Sequence, residues 1–134
     1  MIDALETVIQ YLKTGQLSTA QIASKERYGE VWINGTPSIV VNLDSGTPDL
    51  YLPVQNVRLE IRAFGSTQYA AVQLMNELVT LSRSTDRELV NTQQGAGLLY
   101  YLNQASGISL LYDDTVGMDF AIQFYEAKVT EEGV

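Results

Sequence analysis

The chain has 134 residues, 46% of them hydrophobic, and its eight Lys and Arg against sixteen Asp and Glu leave a net charge of −8. That is enough chain for one domain around one core, and it is too apolar for a disordered polymer. Cysteine and histidine are both absent, which excludes disulfide frameworks, thiol nucleophiles, Ser-His pairs and the commonest zinc sites; the shortage of cations argues against tight binding to a nucleic-acid backbone.

In chain order, Asp3 and Glu6 stand where a basic stretch would mark a secretory signal, so none is expected. Leu5, Val8, Ile9 and Leu12 fall on one stripe of a helix over Ile2–Leu12, with Gly15 as its stop. Residues 16–34 show no clear pattern beyond a turn at Tyr28-Gly29 and a short extended piece at Val31-Trp32-Ile33. Asn34-Gly35-Thr36-Pro37 is turn chemistry, and Ser38–Leu43 is a β-branched strand. Asp44–Asp49 reads as a polar loop, followed by Leu50-Tyr51-Leu52-Pro53; together they suit the tip of a long hairpin between strands 38–43 and 54–64.

Val57-Arg58-Leu59-Glu60-Ile61-Arg62-Ala63 alternates apolar and charged side chains, the period of a strand with one buried and one wet face. The alternation breaks at Phe64-Gly65-Ser66. Ala71, Leu74, Met75, Leu78 and Leu81 then recur at helical spacing, with Ser66 or Thr67 placed to cap a helix over 67–82. Ser82–Gln94 is polar and reads as a connection, Leu98–Leu102 and Ile108–Tyr112 as short strands, and Asp113–Gly117 as a turn. Met118–Val129 is a long strand with Phe120, Ile122 and Phe124 on one face, and Thr130–Val134 a fraying polar tail. The expected fold is a single α+β domain over residues 1–134: a mainly antiparallel sheet of four to five strands, including 38–43, 54–64, 98–102 and 118–129, flanked by two helices.

The chemistry-bearing candidates are few. Gly95-Ala96-Gly97 begins like a dinucleotide loop, but Tyr100 stands where the third glycine belongs, and no glycine–lysine phosphate loop exists. Asp113, Asp114 and Asp119 lie within seven residues without the spacing of a calcium loop, so a solvated turn is expected. Glu60 and Glu126 could approach as an acid pair, although Arg58 and Arg62 flank Glu60 and a cross-strand ion pair is the simpler account. No catalytic residue, cofactor or metal is therefore expected, and the chain reads as a non-enzyme. Leu50, Tyr51 and Leu52 form an apolar group in the Asp44–Pro53 loop, which either meets another subunit or packs back on its own sheet.

The order of these pieces resembles the tail terminator (tail completion) proteins of long-tailed bacteriophages. The resemblance lies in the helix Ile2–Leu12, Pro37-Ser38-Ile39-Val40-Val41, the strand-to-helix unit Val57–Thr67, Leu110-Leu111-Tyr112-Asp113-Asp114 and Phe124-Tyr125-Glu126-Ala127-Lys128-Val129. It implies a structural virion protein of the tail neck, assembled in the host cytoplasm. Such a protein forms a homo-hexameric ring that caps the tail tube, ends its polymerisation and offers a surface to the head–tail connector or stopper protein. DNA would pass through its channel without tight binding. Asp44, Asp49, Leu50, Tyr51 and Leu52 are the expected contact residues, and charged Arg58, Glu60 and Arg62 suit a surface that rejects further strand addition. The alternatives are another neck or tail-tube component of similar α+β fold, or a generic oligomeric binding module.

Overall fold

The computed structural model describes residues 3–15, 17, 21–23, 36–48, 54–93, 95–114 and 116–131. Its elements, in chain order, are α1 (Ala4–Thr14), β1 (Gln21–Ala23), β2 (Ser38–Pro48), β3 (Val54–Gly65), α2 (Gln68–Ser84), β4 (Glu88–Thr92), β5 (Gly95–Gln104), β6 (Ser109–Asp113) and β7 (Met118–Glu131).

Both helices of the described residues begin on a side-chain cap. The Asp3 carboxylate accepts from the amides of Leu5 and Glu6 at 2.9 and 3.3 Å, satisfying donors that have no partner inside α1. Thr67, rather than Ser66, caps α2, its hydroxyl accepting from the Ala70 amide at 3.1 Å. Between β3 and α2, Gly65 is required by close approach: a Cβ there would lie 2.5 Å from the Ala71 nitrogen. The first turn of α2 thus lies directly against the end of β3.

The strands lie in the order β1-β2-β3-β7-β5-β4, with β6 also paired to β7. β1 runs parallel to β2, and every other pair is antiparallel. Since β3 occupies one edge of β7 throughout, β5 and β6 share the other, β5 along Tyr125–Glu131 and β6 along Met118–Ile122. They are two halves of one long strand, interrupted at residues 105–108. Ser106 bridges the break: its Oγ accepts from the Phe124 amide at 2.9 Å, in place of a ladder carbonyl.

The alternation in β3 sends Val57, Leu59, Ile61 and Ala63 to the face covered by the helices, where they meet Leu74, Met75 and Leu78 of α2 and Val8 and Leu12 of α1 in one core. Complete burial of Leu59 and Ile61 contributes about 1.5–3 kcal/mol per side chain. Gln123 and Tyr125 join this buried face through a closed network: the Tyr125 hydroxyl donates to Gln123 Oε1 at 2.7 Å, and Gln123 Nε2 donates to the Ser106 carbonyl at 2.9 Å. On the opposite, outer face a smaller cluster of Val40, Phe64, Met118 and Phe120 is also buried, with the Phe64 and Phe120 rings 5.0 Å apart.

The structure overturns the expected sheet. It is seven-stranded, mixed and curled, not a mainly antiparallel sheet of four to five strands. Three short strands beyond the four named ones account for the difference, and of these only β6, at Ile108–Tyr112, is read as a strand from the sequence. β1 falls in the unpatterned stretch and carries the parallel pairing. β4 lies inside the supposed connection 82–94 and buries only Val90, so its sequence looks polar. β6 extends the sheet along the lower half of β7. The expected tail is corrected at its start, because Thr130 is buried and paired with Val54 and Leu98, and the strand continues through Glu131; residues 132–134 lie outside the described residues.

Candidate assembly surface

The outer face of the sheet carries the described members of the expected contact set. Asp44 is not in a loop: β2 continues to Pro48, and Asp44 sits at an irregularity in the β2–β3 ladder, between Leu43 and Ser45. The register shift frees Asp44 from a partner in the ladder, and its carboxylate meets the Arg58 guanidinium at 3.2 Å. The Arg58 guanidinium also lies over the Phe124 ring, 4.8 Å from its centroid. Two residues along β3, Glu60 and Arg62 pair with each other, and Arg62 stacks over Phe120 at 5.0 Å. The pair runs along one strand, not across strands as the alternation suggested.

In register, Glu60 faces Phe124 and Glu126 faces Arg58, so an aromatic ring and a guanidinium stand where an acid pair would have to form. Lys128 continues the row, its ammonium 5.1 Å from the Tyr100 ring centroid. The outer face is therefore a ladder of cations, each resting on an aromatic ring. Each contact of this kind contributes about 0.5–1 kcal/mol at exposed sites, and each half-exposed ion pair about 0.2–1 kcal/mol. Two of these cations are already neutralised by their own acids.

An open groove crosses this face between β2, β3, β7 and β5, lined by Gly46, Asn56, Arg58, Tyr101 and Glu126. Ser45 also lines it, and among the described residues neither its hydroxyl nor that of Tyr101 is hydrogen-bonded to a base. Asp49, Leu50, Tyr51 and Leu52 lie outside the described residues. Asp113 closes the β6–β7 turn: its carbonyl accepts from the Gly117 amide at 2.8 Å, and its carboxylate from the Val116 amide at 3.4 Å. Gly117 has φ +68°, a conformation that favours glycine. Asp119 faces Tyr112 across the hairpin. Among the described residues no group of three or more Asp or Glu is arranged to hold a metal ion.

One surface was not foreseen. Ile108, Leu110, Leu111 and Tyr112, on and beside β6, are 37, 42, 51 and 58% exposed. The signal was present in the sequence, because Leu110, Leu111 and Tyr112 are apolar at consecutive positions, without the alternation of a half-buried strand. Comparison with protein-family models and with curated proteins gives no match.

Proposed function

We propose that this chain is a structural protein of a long-tailed bacteriophage neck: a tail terminator whose ring caps the tail tube, stops its polymerisation and provides the surface for head–tail joining. The observation that carries this is the strand-to-helix unit Val57–Ser84 in its place between an N-terminal helix and a long final strand, the order that the resemblance rests on. The mechanism is steric and electrostatic. One ring face matches the last ring of the tube; the other does not repeat it, so growth ends. Subunits, tube protein and a connector or stopper protein are the partners, and the site of action is the virion. The chemistry-poor outer face, with its cations committed to rings and acids, fits a protein that works by contact.

The test is the mass of the purified protein combined with negative-stain images, with and without a tail-tube protein. A closed ring of six copies that ends tubes at a fixed boundary is expected. Open-ended polymerisation of the chain by itself would assign it to the tube, and a stable monomer or dimer that leaves tube growth unchanged would overturn the proposal.

A further inference from the structure

The outer edge of β6 is the least protected edge among the described residues. Natural sheets guard an edge with a lysine, a proline, a bulge or a covering segment. β6 pairs β7 on one side alone among the described residues, and Ile108–Tyr112 contains neither charge nor proline. Of the seven large apolar side chains exposed among the described residues, four are here. Leu110 faces Ala121 and Leu111 faces Phe120 across the ladder, so the exposed side chains lie on both faces of the strand. The sheet outline adds a step. β4 lies beside Gly95–Leu99 but not beside β6, so among the described residues no strand pairs with the outer edge of residues 109–113.

Charge identifies what fits. No Lys or Arg occurs between Arg87 and Lys128, and Asp113, Asp114 and Asp119 gather at the turn end of β6. The β6 edge of a second copy would bring no Lys or Arg to meet these carboxylates. An extended segment of a different protein, apolar at alternate positions and cationic at one end, meets apolar side chains along the strand and carboxylates at its end. We propose that the β6 edge takes up such a segment as an added antiparallel strand, with its cationic N-terminal end beside Asp113–Asp114. Main-chain hydrogen bonds supply the affinity, and the side chains and carboxylates supply the selectivity. This goes beyond the ring and does not depend on it.

The probe is the peptide Lys-Lys-Val-Thr-Val-Thr-Val-Thr-Val, labelled with fluorescein at its C-terminus and titrated against the full chain by anisotropy. Three comparisons accompany it: the same peptide with Pro at two central positions, the peptide with Glu-Glu in place of Lys-Lys, and the protein variant Leu111→Lys. Leu111 is half exposed, so lysine there is compatible with the fold while guarding the edge. Saturable binding of the first peptide is expected, at least tenfold weaker in each comparison, together with slowed amide exchange at residues 109–113. Equal binding of the proline peptide would reduce the effect to bare charge attraction and overturn the proposal, as would absence of binding. So would a multimer of the free protein that Leu111→Lys dissolves, since a second copy would then cover the edge. The measurement uses no tube protein, so its failure leaves the ring proposal standing.

Discussion

At the residue scale, Tyr125 is fully buried and its phenol is pushed well above the usual tyrosine range by desolvation, with Arg83 opposing the shift. The folded protein therefore holds this proton more tightly than the unfolded chain. Stability from this group is complete below the ordinary tyrosine pKa of about 10, and falls by about 1.4 kcal/mol per pH unit above it. Denaturant midpoints measured from pH 8 to pH 11 should drop above pH 10. In Tyr125→Phe that alkaline drop should flatten, while stability at pH 8 falls by about 1–3 kcal/mol because the buried Gln123 Oε1 loses its donor. Gly65 presents a steric limit instead. An added Cβ would lie 2.9 Å from the Ala70 carbonyl carbon as well as 2.5 Å from the Ala71 nitrogen, and backbone at a helix start yields little. Gly65→Ala should cost about 1–3 kcal/mol, read as a lowered Tm; an unchanged Tm would mean that α2 can move off β3 freely.

At the element scale, the joint between β5 and β6 is held at Ser106, by its own hydroxyl and by Gln123, whose Nε2 donates to the Ser106 carbonyl. Ser106 accepts the Phe124 amide and donates its own proton to the Gly107 carbonyl at 3.0 Å, while the Ala105 amide donates to the Phe124 carbonyl at 2.8 Å. Ser106→Ala should leave the Phe124 amide without its acceptor, cost about 1–3 kcal/mol and speed exchange at Phe124 without affecting the far end of β7. If Phe124 exchanged as slowly as before, water or a shifted ladder would have replaced the serine. The same elements show what was legible. β3 and α2 announced themselves because their periods of 2 and 3.6 follow from one buried face each. β4 did not, since an edge strand that buries only Val90 leaves no alternation to read. β1 has three residues, too few for any period, and its pairing with Ser38–Val40 is a tertiary fact. The pairing of Asp44 with Arg58 was equally hidden: it depends on a register shift that no local pattern encodes.

At the scale of the whole molecule, the net charge of −8 and the neutralised cations of the outer face point the same way. In a ring that DNA must cross, free Lys or Arg on the channel wall would hold phosphates and release counterions at every step. Of the three cations in the outer-face row, Asp44 and Glu60 cancel the charge of Arg58 and Arg62 at contact distance, and Lys128 alone keeps its charge, over the Tyr100 ring. Acids beyond the contact shell repel a polyanion weakly, over a Debye length of about 8–10 Å. Assembled rings should therefore show no saturable binding of a 30-base-pair duplex at ~50 mM salt, where salt-linked contacts are strongest. Removing the two acids, in Asp44→Asn with Glu60→Gln, frees both guanidinium groups while leaving their aromatic seats in place. If this face lines the channel, the double variant should retain duplex DNA at ~50 mM salt and release it at ~200 mM, the signature of phosphate contacts. Tight, salt-sensitive binding by the unmodified ring would end the idea of a non-adhesive channel. A double variant as indifferent to DNA as its parent would instead turn the outer face away from the channel and toward the neighbouring subunit or the tube.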